Sequence, residues 1–578
     1  MKVRRPVPMG KVKRSALVLL VTLLSSWVWG EDHKVAPDLN ADDSSESVSV
    51  IVQFKQVPGD AHKNKIRSKG GSVDSALPLV KAVSGKMPKN RLRELADDPD
   101  VAYVSPDRPV HSYLNNAAVA VNAPVAWSQG LDGSGIGVAV LDSGTQNVND
   151  LVSSGGNSIV YQSSFIAGNT STADGWGHGT HVSGIIAGNG HSSKGLYQGI
   201  APNANILNFR VLDDNGVGQD SYVINAIQTA IALKNIYNIR VINLSLGRPV
   251  YESYTLDPLC QAVEQAWQAG IVVVVAAGND GRDNSAGTNG YATITAPGND
   301  PYVLTVGAMK SMGTPTRSDD LIASYSSKGP TAIDHIVKPD LVAPGNLVVS
   351  LNGKSTTGLA QQYPQNVVSK KYFTLSGTSM ATAVVSGAAA DLLEAQPSLT
   401  PDQVKARLMK TAYKVFPQYS SVTDSTTGIT YTDQYDVFTV GAGYLDLQAA
   451  LASTDLVPTG LSAKSPTAVY DSTSQSVYLL QDNSAVWGGS AVWGGSAVWG
   501  GSAVWGGSAF VGGNSAVWGG SAIGGSSAVW GGSAVWGGSA VWGGSSTSGF
   551  SAVWGGSAVW GGSTDATQSL SIAINGEN

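Results

Sequence analysis

Apolar residues in the middle of the chain form continuous runs instead of alternating with polar ones. Between residues 136 and 308 the runs read IGVAVLD, NILNFRVLD, RVINLSLG, GIVVVVAAGN and YVLTVGA. Several are separated by segments with helical periodicity, such as QDSYVINAIQTAIALKN. Strands that are apolar on both sides are typical of a parallel sheet with helices on both faces. The pattern therefore predicts a three-layer α/β fold with a mostly parallel sheet over residues 115–454.

A shorter stretch before this block has a different pattern. SVSVIVQFK alternates like a strand, KNRLRELADDP has helical periodicity, and VAYVSPDRP reads as a second strand. These elements predict a small α+β domain over residues 47–110, preceded by a polar linker over residues 31–46.

The first residues differ from both blocks. The basic stretch MKVRRPVPMGKVKR is followed by the apolar stretch ALVLLVTLLSSWVW, and small residues stand at Val28 and Gly30. This arrangement predicts a secretory signal peptide over residues 1–30 and a secreted, extracellular protein. A retained membrane anchor is the alternative interpretation.

After Thr454 the composition shifts to Ser, Thr, Pro and Gly. Residues 455–483 are interpreted as a linker or a small strand-bearing adapter. In residues 484–563 the unit Ala-Val-Trp-Gly-Gly recurs ten times and holds ten of the 15 tryptophans. A short tail, residues 564–578, follows it.

Two structures remain open for this repeat. One is a flexible Gly/Ser-rich segment, and the other is a β-solenoid or stacked sheet. Its exposed tryptophans would suit binding to a cell surface, to a polysaccharide or to other copies of the repeat, so the tail could hold the protein at a surface.

Charge and cysteine content exclude some classes of function. Charged residues make up 13% of the chain, its net charge is −6, and no basic patch stands out, so no nucleic-acid partner is expected. The one cysteine, Cys260, lies in a predicted helix that begins after Asp257 and ends before Gly270. A buried, inert thiol is the favoured interpretation.

Candidate chemistry is concentrated in three motifs: VAVLDSG, DGWGHGTHVSGIIAG and SGTSMATAVVSGAAADLLEAQ. They place Asp142 at the end of a strand, His178 before a helix and Ser379 at the opening of a helix. Peptide hydrolysis by serine needs a base to take the hydroxyl proton and a carboxylate to orient that base. The N–H of Ser379 and the side chain of Asn279 are candidates for an oxyanion hole.

The order Asp, His, Ser in these motifs resembles the subtilisin-like serine proteases, the subtilases. VINLSLG, VVVAAGN, YSSKGP, KPDLVAPG and SGTSMA carry the same resemblance, which covers residues 115–454. It implies a subtilisin-like fold and a serine endopeptidase that works through an acyl-enzyme. Asp142 would orient the base, His178 would be the base, Ser379 the nucleophile and Asn279 an oxyanion-hole donor.

The resemblance also implies a set of substrate-binding residues. One group, Gly216, Val217 and Gly218, would offer a strand edge to an extended peptide. Two further groups would form the walls of the primary specificity pocket: Ser245, Leu246 and Gly247 on one side, and Ala276, Ala277 and Gly278 on the other. Their small side chains favour a large apolar residue before the scissile bond.

Residues 47–110 resemble the inhibitory propeptide of the same family. The resemblance implies a self-processing precursor in which this domain assists folding, inhibits the enzyme and is released by a cut within HSYLNNAAV. A permanent adapter domain is the alternative.

No cofactor is needed for this chemistry. The segment NGHSSKGLYQG does not reproduce the calcium loop of the family, so a structural calcium ion can be assigned to no residue and the metal ligands stay unknown. A structural or adhesive surface protein, with the repeat as its active part, is the competing function. The partners expected for the enzyme are a protein or peptide substrate and its own propeptide.

Overall fold

The chain forms two compact units, residues Met1–Ser112 and Tyr113–Asn578. The computed structural model describes residues 34–36, 39, 44–107, 116–153, 156–285, 287–424, 427–457, 462–471, 476–480, 497–499, 503–505 and 576–577. The predicted signal peptide and most of the repeat therefore lie outside the described residues. Every helix in the described part is too short or too polar to cross a membrane.

The described residues of the small unit contain four strands and two α-helices. They are β1 (Ser47–Phe54), α1 (Asp60–Ser68), β2 (Ser72–Leu77), β3 (Ala82–Pro88), α2 (Leu92–Ala96) and β4 (Val101–Pro106). The strands form an antiparallel sheet in the order β2-β3-β1-β4. In β1, Val50, Val52 and Phe54 are buried at every second position, so the sheet buries one face of this strand.

Part of the predicted linker belongs to this small unit. Val35 forms a parallel bridge with Val104, and Ala36 and Leu39 are buried in the core of the unit. The prediction of a polar linker over residues 31–46 is corrected at these positions, because their apolar side chains lose contact with water by packing there.

The large unit contains a longer series of strands and helices. Its strands are β5 (Gly137–Asp142), β6 (Val152–Ser153), β7 (Gly156–Asn157), β8 (Ile159–Ser164), β9 (Asn205–Arg210), β10 (Ile239–Leu244), β11 (Val272–Ala276), β12 (Leu304–Lys310), β13 (Leu321–Ile322), β14 (Leu341–Pro344), β15 (Val348–Leu351), β16 (Val367–Ser369), β17 (Tyr372–Leu375), β18 (Tyr419–Thr423) and β19 (Thr430–Gln434). Its helices are α3 (Asn116–Ala120), α4 (Ala123–Ser128), α5 (His178–Ala187), α6 (Asp220–Tyr237), α7 (Pro258–Gln268), α8 (Gly358–Gln362), α9 (Thr378–Ala395), α10 (Pro401–Thr411), α11 (Val437–Val440) and α12 (Leu447–Ala452).

The main sheet has the strand order β13-β12-β11-β10-β5-β9-β8, and β14 also pairs with β12. All these pairings are parallel except that of β12 with β13. The five apolar runs of the sequence form β5, β9, β10, β11 and β12. Every residue of β5, β11 and β12 is buried, so both faces of the sheet are covered. The predicted three-layer α/β fold is confirmed.

Two groups of helices cover this sheet. Helix α9 packs along β10, β11, β12 and β14 and contacts α5, whereas α6 and α7 contact each other, with α6 against β10 and α7 against β11. Helix α7 begins as predicted, since the Asp257 side chain accepts bonds from the N–H groups of Leu259 and Cys260. Cys260 is fully buried, and burial raises the pKa of its thiol, which therefore stays protonated.

Beyond the sheet, the large unit buries a cluster of three charges. The Asp340 carboxylate pairs with Lys338 at 2.7 Å and with Lys405 at 3.1 Å, and all three side chains are 0% exposed. Burial raises the pKa of Asp340, but the two ammonium charges outweigh it and hold the pKa below its usual range. Burial lowers the pKa of Lys405 to about 7. The motif KPDLVAPG thus contributes a buried ion pair as well as the strand β14.

The segment after residue 454 packs partly on the large unit. Its described residues include the antiparallel pair β20 (Thr467–Asp471) and β21 (Ser476–Leu480). Ser465 donates a 2.5 Å hydrogen bond to Asp340 and accepts one from Lys405. The described part of residues 455–483 thus contains strands, which is the form expected if this segment is a small strand-bearing adapter and not only a linker.

Two units of the repeat are described. They form β22 (Ala497–Trp499) and β23 (Ala503–Trp505), paired antiparallel with Val498 opposite Val504. Most units of the repeat lie outside the described residues. Whether the repeat is a flexible segment or a stacked sheet therefore stays a matter of the sequence predictions.

Asp340→Asn is expected to lower the free energy of unfolding by about 3–5 kcal/mol, because it leaves two buried ammonium groups without their carboxylate. The measurement is denaturant unfolding of the full chain carrying Ser379→Ala, which avoids self-digestion. The exposed change Glu252→Gln removes the same charge and serves as control, with an expected change within about 0.5 kcal/mol. Equal stability of the two variants would contradict the prediction.

Candidate active site

Asp142 and His178 meet at the carboxyl edge of the sheet. Asp142 is the last residue of β5, and His178 is the first residue of α5. Nδ1 of His178 lies 2.7 Å from Oδ1 of Asp142, which is 1% exposed. A carboxylate acceptor at Nδ1 holds the ring proton there and leaves Nε2 free to act as a base.

The loop before His178 is held by Asp174. Its Oδ1 accepts a 2.6 Å hydrogen bond from the N–H of Gly177, and its Oδ2 accepts bonds from the N–H and hydroxyl of Thr180 at 2.8 and 2.6 Å. Ser143 joins the two carboxylates, because its hydroxyl also donates to Asp174 at 2.9 Å while its N–H donates to Asp142 at 2.8 Å. Asp174 therefore positions the start of α5.

The second histidine of the motif, His181, has a structural role. Its side chain is fully buried, and Nε2 lies 3.1 Å from the carbonyl oxygens of both Val348 and Phe373. Burial, together with the charge of His178, lowers the pKa of His181 to about 3, so this ring stays neutral.

Ser379 is the second residue of α9, so its N–H belongs to the first turn, where helix N–H groups have no intrahelical acceptor. Its hydroxyl donates to the carbonyl oxygen of Ser245 at 3.2 Å, and the Ser245 hydroxyl donates to the Ser379 carbonyl at 2.9 Å. These bonds join the start of α9 to the end of β10.

The turn before Ser379 requires glycine. Gly377 has φ +145°, which L-residues rarely adopt, and an added Cβ would lie 3.3 Å from Nδ2 of Asn279. The sequence SGTS therefore lets the chain enter α9 close to Asn279.

Asn279 follows β11 and faces the same turn. Its Oδ1 accepts bonds from the N–H of Thr378 at 2.9 Å and from the Thr378 hydroxyl at 3.1 Å. These donors fix the orientation of the amide, which leaves its NH2 group as a donor beside the N-terminus of α9. The candidate oxyanion donors, Asn279 and the Ser379 N–H, thus lie on adjacent elements.

A cleft of about 520 Å³ lies beside His178 and Asn279. Six of the predicted substrate-binding residues line it: Gly216, Val217, Gly218, Ser245, Leu246 and Gly247. The cleft also has lining residues that were not singled out in the sequence: Trp176, Leu212, Gln219, Asp220, Val223, Arg248 and Leu259. Arg248 directly follows the motif SLG, and Trp176 lies two residues before HGTH; this closeness to the motifs was the signal in the sequence that could have found them.

The predicted third group does not line this cleft. Ala276, Ala277 and Gly278 are absent from its lining, and Ala276 and Ala277 are 4% and 0% exposed. Gly278 faces Thr295 and Ser327, because an added Cβ would come within 2.8 Å of both side chains. Ala276 and Ala277 are buried where β11 ends, and the assignment of the three residues as a wall of the specificity pocket stays a prediction.

The one cation of the cleft lining is already paired. Arg248 donates to both oxygens of Asp220 at 3.1 and 2.9 Å and to both oxygens of Asp257 at 2.9 Å. These two carboxylates outnumber the single positive charge of Arg248, and Trp176, Leu212 and Leu246 add apolar surface to the cleft.

The loop that departs from the family calcium loop makes bonds of its own. The Asp150 carboxylate accepts hydrogen bonds from the N–H and hydroxyl of Ser192 and, at 2.5 Å, from the hydroxyl of Tyr372. In the described part of the chain, no three Asp, Glu, His or Cys side chains form a group that could hold a metal ion.

Neighbouring carboxylates control the charge of His178. Burial lowers its pKa, but the charge of Asp142, the hydrogen bond to it and the charge of Asp174 outweigh burial, so the pKa is raised above that of an ordinary histidine. The same carboxylates stabilise the imidazolium that forms when His178 takes a proton.

Comparison with known proteins identifies the family. The peptidase S8 model, described as the subtilase family, matches residues 133–443. The chain belongs to the subtilase family. The match contains Asp142, His178, Asn279 and Ser379, and it spans β5 to α11.

Several curated proteins are similar to this subtilase over most of their length. Serine protease AprX of Bacillus subtilis (strain 168) is 35% identical over 383 residues, which are 63% of this chain and 82% of AprX. Subtilisin E of the same strain is 36% identical over 378 residues, 64% of this chain and 86% of the relative. An alkaline protease of Alkalihalobacillus alcalophilus is 32% identical over 413 residues, 70% of this chain and 94% of the relative. This subtilase is a serine endopeptidase.

The pKa of His178 predicts the acid limb of the pH profile. If His178 must be neutral to act as the base, kcat/KM falls as the pH drops through its pKa, and the midpoint is expected above the pH at which an ordinary histidine titrates. Asp142→Asn removes the charge that raises this pKa, so its residual activity should have a midpoint at lower pH. Initial rates on a short peptide substrate measure both profiles, with Glu252→Gln as control. A midpoint that Asp142→Asn leaves unmoved would contradict the assignment.

Proposed function

We propose that this subtilase is a secreted, self-processing endopeptidase with Asp142, His178 and Ser379 as its catalytic triad. The observation that carries the proposal is the 2.7 Å contact between Asp142 and His178 at the same sheet edge as Ser379 and Asn279. The competing adhesive function has no such support in the described residues.

The first half of the reaction forms an acyl-enzyme. The Ser379 hydroxyl turns from the Ser245 carbonyl to Nε2 of His178, which takes its proton as Oγ attacks the scissile carbonyl carbon. The positive charge on His178 is stabilised by Asp142. The oxyanion of the tetrahedral intermediate accepts bonds from the Ser379 N–H and from the Asn279 NH2 group.

The second half releases both products. His178 returns its proton to the leaving amine as the C–N bond breaks, and the ester on Ser379 remains. A water molecule then gives its proton to His178 and attacks the ester carbonyl. As that intermediate collapses, His178 returns the proton to Oγ of Ser379, and the acid product leaves. All proton transfers use these side chains, so we propose that no cofactor takes part in the chemistry.

The substrate is proposed to lie extended along Gly216–Gly218. Leu212 and Gly218 form an isolated antiparallel bridge, and Val217 is 64% exposed, so this short edge is open to pair with a peptide backbone. Leu246 and Trp176 contribute apolar surface to the cleft, which supports a large apolar residue before the scissile bond.

The remaining blocks of the chain are proposed to serve secretion and maturation. The basic and apolar pattern of residues 1–30 supports export, and the resemblance of residues 47–110 to a propeptide supports an internal inhibitor that is cut off by the enzyme itself. We further propose that the tryptophan-rich repeat associates with a cell surface, a polysaccharide or another copy of itself.

Ser379→Ala is expected to reduce peptide hydrolysis by at least about 10⁴-fold, because the nucleophile is lost while the oxyanion donors remain. The same chain should stay a full-length precursor in mass spectra of the secreted protein. Ser128→Ala changes an exposed hydroxyl and should be active and processed. Maturation of the Ser379→Ala chain without added protease would contradict self-processing.

Cleavage of a randomised peptide library is expected to show large apolar residues before the scissile bond, because the cleft walls are apolar and Arg248 is paired with two carboxylates. Asp220→Asn should keep this preference, since the Asp220 carboxylate is paired with Arg248 and not directed to substrate. A profile dominated by basic or acidic residues would overturn the proposed specificity.

A further inference from the structure

Two residues that follow the repeat lie inside the large unit. Glu577 is 5% exposed, and it contacts residues that are more than 200 positions away along the chain. Glu577 is a polar residue, and the composition of the tail around it is ordinary. Its burial and the contacts made by its side chain therefore need an explanation.

The Glu577 carboxylate is held by two cations and a serine. Arg282 Nη2 lies 3.1 Å and Lys310 Nζ 2.8 Å from it, and both cationic side chains are 5% exposed. The N–H and hydroxyl of Ser324 donate to the same carboxylate at 2.8 and 2.6 Å. Three hydrogen-bond donors on Oε2 and the Lys310 ion pair at Oε1 together form a specific recognition site for this buried carboxylate.

The backbone of the segment is recognised as well. The Asn346 side-chain amide donates to the Glu577 carbonyl at 2.6 Å and accepts from the Glu577 N–H at 2.8 Å. Gly576 has φ +61°, and an added Cβ would lie 2.6 Å from Leu347 and from Ser376. The pocket therefore fits the dipeptide Gly-Glu, with no room for a side chain at the first position.

Contacts within the large unit support the site. Arg282 donates to Ser324 through Nε at 2.7 Å and to Asp424 through Nη1 at 2.8 Å, and its guanidinium lies 4.8 Å from the Tyr431 ring centre. Arg282 and Lys310 carry two positive charges, which Asp424 and Glu577 balance. Loss of the Glu577 charge would leave the buried cluster with an excess positive charge, which is costly.

We propose that Arg282, Lys310, Ser324 and Asn346 form a peptide-binding site whose ligand is the Gly576–Glu577 segment of the same chain. The repeat is then anchored to the endopeptidase unit at both of its ends, and it stays attached after a cut within it. The proposal rests on these contacts and not on the proposed catalytic roles.

The site also touches the turn that carries the candidate nucleophile. Ser376 precedes Ser379 by three residues and accepts a 2.9 Å bond from the N–H of Leu347. The Gly345 carbonyl accepts a 2.8 Å bond from the N–H of Gly377. The bound segment thus lies against the chain that positions the N-terminus of α9.

The test cuts the repeat and asks whether the released piece stays bound. A recognition sequence for a specific protease is inserted between Gly513 and Asn514 in the full chain carrying Ser379→Ala. After cleavage, size-exclusion chromatography under native conditions separates bound from free fragment. The fragment is expected to co-elute with the rest of the chain, and Glu577→Gln should raise its dissociation constant at least tenfold.

Controls distinguish this site from other contacts of the tail. Glu252→Gln removes an exposed carboxylate and should retain the fragment like the parent. An excess of the free peptide SIAINGEN should displace the fragment from the parent chain, whereas SIAINGQN should not, and this arm needs no variant to fold. Separation of the fragment from the parent chain, or equal retention by Glu577→Gln, would overturn the proposal.

Discussion

Parallel pairing of β5, β10 and β11 is the constraint on which the rest of this protein depends. Strands that run in one direction end at the same edge, and the residues that follow them are therefore neighbours in space although they are far apart in sequence. Asp142, Ser245 and Asn279 occupy this edge. Helix α9 brings Ser379 to it, because the helix packs along the same strands.

The site is held by hydrogen bonds to buried carboxylates. A buried charge is costly unless donors surround it, and Ser143, Gly177 and Thr180 supply such donors to Asp142 and Asp174. The same carboxylates raise the pKa of His178. One set of bonds therefore fixes the geometry of the loop and sets the proton affinity of the candidate base.

Buried charges away from the cleft are also surrounded by partners of opposite charge. Lys338, Asp340 and Lys405 form one buried charge cluster, and Arg282, Lys310 and Glu577 belong to another. In both, a segment beyond the family match takes part: Ser465 in the first and Glu577 in the second. Residues after the endopeptidase block thus complete polar networks of that block, which physically links the tail to the stability of the enzyme.

Much of the fold could be read from the sequence because strong local patterns dictate it. Continuous apolar runs bury both sides of a strand, and they predicted β5, β9, β10, β11 and β12. The small unit was read less completely. Its strands β2 and β3 were missed, since SVDSAL and AVSGKMP are polar or short and gain their partners only by pairing with each other and with β1.

The sequence by itself determined which chemistry is available, because the order Asp142, His178, Ser379 and the residues around them are local signals. Only the tertiary structure decided which residues from distant parts of the chain lie next to one another. It buries Ala276 and Ala277 at the end of β11, it pairs Arg248 with two carboxylates, and it joins Glu577 to Arg282. These outcomes depend on contacts between segments that are far apart in the chain. The packing of the whole unit sets the geometry of such contacts, and they therefore leave no local pattern in the sequence.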